Sequence, residues 1–298
     1  MARAVAAGRV IGSRGDGAAV RRLARLRAGE GFTTVIVIAH LSDIHIDSSP
    51  RSAERTRAVM AYLESLHVDL DAVVVTGDIA DHGLESEYAR VRELLRTRHP
   101  LLVCPGNHDR RDAFREVLLG APPAARPGTP VNQVLRRDGF VLALCDSSVP
   151  GEDEGFLADE TLDWLDGVLD ETPDGVPVLV GFHHPPTALG MPFVDGIRQF
   201  GEDRLAERTA SRPGIAAFLC GHAHTAAATT FAGRPLLVAP GVISSSKLPW
   251  EPYEHPNDHV YRDEMAPSLA FHVLDEGRIT THFRSVPLRE PVEFGRAV

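Results

Sequence analysis

The sequence has no long apolar run, a single lysine and few cysteines. Its longest apolar stretch lies around Val35–Ala39, well short of the ~20 residues that a membrane-spanning helix needs. We therefore exclude an integral membrane protein. The cysteines Cys104, Cys145 and Cys220 show no C-x-x-C spacing, and each ends an apolar run. Their odd number and positions indicate buried thiols in a reducing compartment, without a disulfide framework, and predict a cytoplasmic protein.

The charge balance is acidic. The net charge is −10, from 41 acidic and 31 basic residues, and Lys247 is the one lysine. Proteins that bind the phosphate backbone of nucleic acids usually present a basic surface, so this balance argues against a nucleic-acid partner. Neither G-x-x-x-x-G-K-S/T nor G-x-G-x-x-G occurs, which disfavours a nucleotide-binding protein that works without metal.

The first thirty residues differ from the rest of the chain. They are rich in Ala, Arg and Gly, and only Asp16 and Glu30 are acidic. We expect residues 1–30 to be a disordered N-terminal extension; an over-long gene start and a leader resembling a transit peptide stay open as alternatives. Residues 31–298 show no repeat and no linker, which predicts one domain.

From Thr33 onward, continuous apolar runs alternate with amphipathic segments. The runs predict strands buried on both faces: Thr33–Ala39, Ala72–Thr76, Leu101–Cys104, Phe140–Cys145, Val176–Phe182 and Ala216–Cys220. Ser52–Leu66 and Ala158–Leu169 predict helices with one apolar face, and the Pro-rich segments Ala121–Pro130, Thr187–Pro192 and Leu248–Asn257 predict loops. We predict an α/β fold in which two packed β-sheets are flanked by helices.

Five of the predicted strands end in turns that carry Asp, Asn or His. The segments are His40-Leu-Ser-Asp43-Ile-His45, Gly77-Asp78, Gly106-Asn107-His108-Asp109, His183-His184-Pro185-Pro186 and Gly221-His222-Ala223-His224. Sites in α/β sheets form outside the carboxyl ends of strands, so these turns should converge on one crevice. Each motif alone is weak, since any one is commonly a plain turn or helix cap. Their conjunction predicts a functional site.

The donors in these turns suit particular metals. Carboxylate, carboxamide and imidazole groups without thiolate favour Mn, Fe or Zn over Ca, and argue against a zinc finger. A single ion rarely needs seven protein ligands. Two ions ~3.5–4 Å apart that share one carboxylate account for a set of this size. The candidate ligands are Asp43, His45, Asp78, Asn107, His183, His222 and His224.

With these motifs in order, the sequence resembles the calcineurin-like metallophosphoesterases, and most of all the bacterial class III cyclic-nucleotide phosphodiesterases. The likeness also rests on Gly77–Gly83, Asn107–Arg110 and Asp146–Gly151. It implies a first metal on Asp43, His45, Asp78 and His224, and a second on Asp78, Asn107, His183 and His222, with Asp78 bridging. It also implies that His108 faces the phosphate and that Asp81 orients His108.

The resemblance implies a dinuclear-metal phosphodiesterase that hydrolyses small phosphodiesters, with 3′,5′-cyclic AMP as the leading substrate, by attack of a metal-bound hydroxide. His108 would protonate the leaving group, with Asp81 or Asp109 holding its tautomer. A glycerophosphodiesterase, a broad-specificity phosphatase and a nuclease are alternatives within the superfamily. A metal-stabilised binding module is the non-enzyme alternative. A homodimer stays open.

The other histidines lack this motif context. We expect His184 to support the neighbouring ligand, and His40 and His82 either to line the site or to pack near it. The rest are expected on the surface or in sheets: His67, His99, His255, His272 and His282. Trp250, Tyr253 and His259 predict a plain surface loop, with a pocket wall for a base as the alternative.

Overall fold

The computed structural model describes residues 35–252, 261–262 and 264–288. The predicted extension over residues 1–30, and the loop residues Tyr253, His255 and His259, lie outside this part of the chain. Strands are numbered below in chain order.

The first sheet is mixed. Its order is β15 (Arg278–Ser285), β14 (Ser268–Asp275), β1 (Ile36–Leu41), β2 (Ala72–Thr76) and β3 (Leu101–Cys104). Strands β1, β2 and β3 are parallel, while β14 and β15 form an antiparallel hairpin added beside β1. The carboxyl ends of the three parallel strands therefore meet at one edge.

The second sheet has a parallel centre between antiparallel edges. Its order is β10 (Ala227–Phe231), β11 (Arg234–Val238), β9 (Ile215–Cys220), β7 (Val178–Gly181), β5 (Phe140–Leu144) and β4 (Gln133–Arg137). Strands β11, β9, β7 and β5 are parallel. Two short pairings lie outside the sheets, between β6 (Gly155–Phe156) and β8 (Gln199–Phe200) and between β12 (Ser245–Ser246) and β13 (Tyr261–Arg262).

Helices cover the outer face of each sheet. The described helices are Pro50–Glu64, Glu85–Leu94, Arg111–Ala113 with a π-helical turn over Phe114–Leu118, Asp159–Asp170, Pro192–Gly196 and Glu202–Thr209. Alternate residues of β2 show the layering: Ala72 and Val74 belong to the core between the sheets, and Val73 and Val75 to the core beneath the helices. Each of these buried valine side chains stabilises the fold by about 1.5–3 kcal/mol.

This arrangement confirms the predicted α/β sandwich of two sheets flanked by helices. All six predicted strands are present; β2 and β3 have the predicted bounds, and the ends of the other four are shifted by a few residues. Helix Ser52–Leu66 begins earlier, at Pro50, because proline suits the first turn of a helix. Strands β4 and β15 escaped prediction, because half-exposed strands carry polar residues that interrupt an apolar run; β10, β11 and β14 were also missed. No helix in the described ranges is long and apolar enough to cross a membrane.

Candidate metal centre

Backbone hydrogen bonds bring the strand-end turns together. The amide of Asp43 donates to the Gly77 carbonyl at 3.2 Å, and that of His45 to the Asp78 carbonyl at 2.9 Å. In the second sheet, the amide of Gly221 donates to the His183 carbonyl at 3.0 Å. His183 Nδ1 joins the two sheets by donating to the Thr76 carbonyl at 2.7 Å. The turns after β1, β2, β7 and β9 thus form one surface, as predicted from the parallel strand ends.

Five of the seven predicted ligands have a left-handed backbone. Their φ angles are 54° at Asp43, 41° at His45, 48° at Asp78, 66° at His222 and 51° at His224. Non-glycine residues seldom adopt this conformation, and it persists where the surrounding structure enforces it, commonly at functional sites. The surrounding structure therefore enforces a strained backbone at these five residues, which are all predicted ligands.

A first cluster joins the turns of β1, β2 and β9. Asp43, His45, Asp78 and His224 each place one donor atom within 4.8 Å of the others. His45 Nε2 lies 3.3 Å from Asp78 Oδ2 and 3.3 Å from His224 Nε2, and His224 Nε2 lies 3.5 Å from Asp43 Oδ1. These four residues are the ones predicted to hold the first metal.

A second cluster lies on the other side of Asp78. His183 Nε2 is 3.3 Å from Asp78 Oδ2, and His222 Nδ1 is 3.2 Å from His183 Nε2. His184 also contributes to this cluster, although its Nδ1 is hydrogen-bonded to Ser147 Oγ at 2.8 Å. Asp78 therefore stands between two groups of imidazoles, as a bridging carboxylate would.

Two of the predicted ligands carry buried oxygen atoms without hydrogen-bond partners. Both carboxylate oxygens of Asp43 and the Oδ1 of Asn107 have no hydrogen-bond partner. Buried polar atoms are nearly always paired, because an unpaired one costs the free energy of its lost hydration. A cation supplies the missing interaction, so the residues present fit a metal.

The charges of the site lead to the same conclusion. Burial and the neighbouring Asp78 raise the pKa of Asp43 to about 6. Burial by itself lowers the pKa of His45 and of His183. The neighbouring Asp78 outweighs burial at both residues, together with Asp81 at His45. The pKa of His45 is thereby raised to about 10 and that of His183 to about 9. Without metal the carboxylates thus draw protons onto two imidazoles, which marks a place where cations are favoured.

Partners at the rear nitrogens orient the imidazoles. His45 Nδ1 donates to Asp81 Oδ1 at 2.9 Å, and His183 Nδ1 donates to the Thr76 carbonyl at 2.7 Å. His224 Nδ1 is hydrogen-bonded to Ser244 Oγ at 2.9 Å. Such bonds select the tautomer whose other nitrogen turns toward the metal. Neither Thr76 nor Ser244 was predicted as a site residue, because neither belongs to a recognisable motif.

His108 lies beside the clusters, at the edge of an open cavity. Its Nδ1 donates to the backbone carbonyl of Asp81 at 2.8 Å, and its amide donates to Asp78 Oδ1 at 3.0 Å. The cavity has a volume of about 900 Å³ and is also lined by Asn107 and Arg110. The exposed ring of His108 can therefore reach a ligand in the cavity.

The two carboxylates considered for His108 have other partners. The Asp81 carboxylate is 3.7 Å from His108 Nδ1 but hydrogen-bonded to His45, so Asp81 holds His108 through its carbonyl. Asp109 accepts bonds from the amides of Ile79, Ala80 and Gly106 and from the Tyr88 hydroxyl. The alternative that Asp109 orients His108 is wrong, because its oxygens are occupied within the fold.

The remaining histidines separate clearly. His40 is buried between the sheets and bonded to Thr76 and His272, so it packs near the site without lining it. His82 lines the cavity wall and is bonded to Glu87. His272 is a buried sheet residue, as expected, whereas the expectation for His99 is wrong, because His99 is buried outside the strands. Trp250 is 77% exposed, as a plain surface loop predicts.

The sequence profile of the family described as Calcineurin-like phosphoesterase matches residues 36–226, which include every predicted ligand. That match covers most of the chain. The chain belongs to the calcineurin-like phosphoesterase family. The expectation of a hydrolase acting on phosphoric esters is thereby confirmed, and the family fold implies a dinuclear metal site.

Relatives in sequence are bacterial phosphodiesterases. The chain is 32% identical to a glycerophosphodiester phosphodiesterase GpdQ of Enterobacter lignolyticus, over 80% of this chain and 86% of that protein. It is 30% identical to a probable cyclic nucleotide phosphodiesterase of Rhodococcus erythropolis, over 71% and 72%. It is also 30% identical to a cAMP/cGMP dual specificity phosphodiesterase of Mycobacterium tuberculosis, over 75% and 73%.

Solved structures share the fold. A dimetal phosphatase from Danio rerio superposes with a TM-score of 0.55 at 15% identity, over 85% of this chain and 99% of that one. A purple acid phosphatase from yellow lupin superposes with a TM-score of 0.59 at 12% identity, over 85% and 52%. At these identities the likeness shows the architecture alone.

Proposed function

We propose that this family member is a dinuclear-metal phosphodiesterase that cleaves small diesters. The observation that carries the proposal is Asp78, buried between two imidazole clusters and within 3.3 Å of His45 and of His183. One carboxylate with donors on both sides is the arrangement that two metal ions share. We assign Asp43, His45, Asp78 and His224 to one ion, and Asp78, Asn107, His183 and His222 to the other.

Two bound ions would supply an activated water nucleophile and neutralise the charge that gathers on the phosphoryl oxygens. The imidazole and carboxylate donors suit manganese, iron or zinc. The chain's own groups orient these donors: Asp81, the Thr76 carbonyl and Ser244 hold the rings of His45, His183 and His224. Their hydrogen bonds keep the ligands in place before substrate arrives.

His108 is the group that we assign to the leaving oxygen. Because its Nδ1 donates to the Asp81 carbonyl, Nε2 is the nitrogen that faces the cavity. A protonated Nε2 can give its proton to the departing alkoxide, which otherwise leaves slowly. Asp81 is then a positioning residue with two roles, its carbonyl toward His108 and its carboxylate toward His45.

We propose 3′,5′-cyclic AMP as the leading substrate and a glycerophosphodiester as the second candidate. The likeness to phosphodiesterases whose names specify cyclic nucleotides supports the first, and the likeness to one named for glycerophosphodiesters supports the second. A diester also brings one negative charge to a site already lined by Asp43, Asp78 and Asp81, where a monoester brings two. Two bound cations would reverse that balance, so our expectation that diesters are preferred over monoesters rests on the likeness to the named phosphodiesterases.

The test is a comparison of kcat/KM for cyclic AMP, glycerophosphodiesters, bis-nitrophenyl phosphate and nitrophenyl phosphate, with Mn²⁺ supplied and bound metal measured. Two metal equivalents with faster turnover of diesters support the proposal. A monoester preferred over every diester would overturn the phosphodiesterase assignment. Fast turnover of glycerophosphodiesters with negligible turnover of cyclic AMP would change the substrate alone.

The bridging role of Asp78 has its own test. Asp78→Ala should abolish activity and lower the metal content more than any other ligand substitution, because one side chain serves both ions. Asp138→Ala, in the exposed turn between β4 and β5, is the matched control and should retain both. Two full metal equivalents in Asp78→Ala would contradict the bridging assignment.

The compartment and assembly of the chain are also proposals. Cys104, Cys145 and Cys220 are buried free thiols, which supports a reducing compartment such as the cytoplasm. Localisation of a tagged full chain tests this. The homodimer stays a prediction, to be measured by light scattering.

A further inference from the structure

A series of side-chain hydrogen bonds, buried except at its Thr281 end, crosses the first sheet toward the candidate metal centre. His272 Nδ1 on β14 is 2.9 Å from Thr281 Oγ1 on β15, and His272 Nε2 is 3.0 Å from His40 Nδ1 on β1. His40 Nε2 is in turn 2.8 Å from Thr76 Oγ1, at the end of β2. Three strand boundaries are thus spanned by side chains alone.

Both histidines in this series of hydrogen bonds, His40 and His272, are fully buried, and burial keeps them neutral. Burial lowers the pKa of His272 to about 3 and holds the pKa of His40 well below its usual value. A neutral imidazole donates at one nitrogen and accepts at the other, so the bonds all run in one direction between Thr281 and Thr76. Loss of any member leaves a buried partner unpaired, which favours displacement of the groups around it.

Thr76 connects this series of hydrogen bonds to the candidate metal centre. Its carbonyl accepts from His183 Nδ1 at 2.7 Å and from Ser42 Oγ at 2.8 Å. Ser42 immediately precedes Asp43, and His183 lies within 3.3 Å of Asp78. The side chain of Thr76 is held by His40 while its carbonyl holds one residue on each side of the centre.

We propose that His272 and His40 are positioning residues for the metal centre, acting through Thr76 on the orientation of His183. This inference rests on the proposed function, since it takes His183 as a ligand. It makes the β14–β15 hairpin, which lies beyond the matched residues 36–226, a working part of the site. Loss of a polar group that is hydrogen-bonded to a metal ligand commonly weakens metal affinity about 10–100-fold. The hydrogen bonds from His272 through His40 to Thr76, which we call the relay, are more remote from the metal, so we expect a change of about tenfold.

Two substitutions at one position separate the relay from simple packing. His272→Gln places an amide near the position of Nε2 and keeps a partner for His40, whereas His272→Asn places it near Nδ1 and keeps the partner Thr281 instead. We expect Mn²⁺ affinity of the metal-free protein, measured by competition with a chelating dye, to stay within twofold in His272→Gln. It should weaken about tenfold in His272→Asn.

Two further variants complete the experiment. His282→Leu, on the exposed face of the same hairpin, is the control and should bind Mn²⁺ like the wild type. Thr76→Val keeps the backbone carbonyl and removes the hydrogen bond to His40, so it should weaken Mn²⁺ affinity by the same factor as His272→Asn. It provides an independent test where His272→Asn folds poorly. Thermal unfolding without metal reports packing separately.

Equal Mn²⁺ affinity in wild type, His272→Asn and Thr76→Val would overturn the relay while leaving the proposed function intact. A wild-type chain that binds no metal would instead overturn the proposed function, and the relay with it. Equal weakening in His272→Gln and His272→Asn, with His282→Leu unaffected, would also overturn the relay, because the contact with His40 would not matter.

Discussion

At the scale of single residues, the site divides side chains that we assign to metal from side chains that orient them. His108 belongs to neither group, since its imidazole donates to a carbonyl and faces the cavity. Asp81 orients two histidines by two different atoms. Substitution of each residue should therefore leave a distinct kinetic signature.

His108→Ala should retain both metals and lose about 10²–10⁴-fold in turnover of diesters with poor leaving groups. The loss should shrink for a nitrophenolate, which departs without a proton. Measurements of kcat across leaving groups, with metal content, test this. His67→Ala, an exposed histidine away from the site, is the control. Loss of metal in His108→Ala would make His108 a ligand and contradict its assignment.

Asp81→Ala should weaken metal binding about 10–100-fold, because it removes the carboxylate that holds His45. It should leave the dependence on the leaving group unchanged, because alanine keeps the carbonyl that holds His108. Metal titration and leaving-group kinetics measure the two effects, with Asp138→Ala as the control. Full metal affinity with the leaving-group pattern of His108→Ala would show that the carboxylate acts through His108.

At the scale of elements, glycines let the strand-end turns approach one another. A Cβ on Gly106 would lie 2.5 Å from the amide nitrogen of Asp78 and 2.9 Å from Cδ2 of His183. Neither neighbour can withdraw, since one is backbone and the other is a fully buried ring. The turn after β3 therefore needs glycine before Asn107 for the centre to close.

Gly106→Ala should lower metal content and activity strongly, because the added methyl displaces Asp78 and His183 together. Gly167→Ala is the matched control: it lies in helix Asp159–Asp170 with open space around its Cβ, and should leave activity unchanged. It should also stabilise the fold by about 0.5–1 kcal/mol, since alanine suits a helix better. Full metal content in Gly106→Ala would contradict the close approach.

At the scale of the whole molecule, buried histidines make the stability of the metal-free protein depend on pH from both sides. Burial lowers the pKa of five of them in the described chain: His40, His184, His222, His224 and His272. In the unfolded protein these histidines have a pKa of about 6.5 and bind protons below that pH, whereas in the folded protein they do not. The free energy of unfolding therefore falls as the pH is lowered. Asp43 and Asp109, whose pKa values are raised to about 6, oppose this trend and are fewer.

Above that pH the sign reverses. His45 and His183, with pKa values of about 10 and about 9, stay protonated when folded and lose their protons when unfolded. Stability therefore falls as pH rises from about 6.5 toward these values. We expect the melting temperature of chelator-treated protein to be highest near pH ~6.5 and lower at pH ~5 and pH ~8.5. A melting temperature that rises steadily across this range would contradict the assigned shifts.

Much of the fold was predictable because its central strands are buried on both faces. Continuous apolar runs such as Ala72–Thr76 and Leu101–Cys104 coincide with β2 and β3. Parallel strands present their carboxyl ends at one edge, so the polar turns after them were expected to meet, and they do. Half-exposed strands such as β4 lack such runs and were missed.

The sequence by itself determined which polar residues gather at the site, because Asp, Asn and His directly after buried parallel strands meet at one edge of the sheets. The tertiary structure decided which atoms those residues face. Asp109 is adjacent to His108 in the chain yet is bonded to Tyr88, and Asp81 reaches His108 through its carbonyl. The tertiary structure also brought His272 to His40 across 232 positions. Such contacts depend on strand order and register, which arise from packing between distant segments and leave no periodic pattern in the chain.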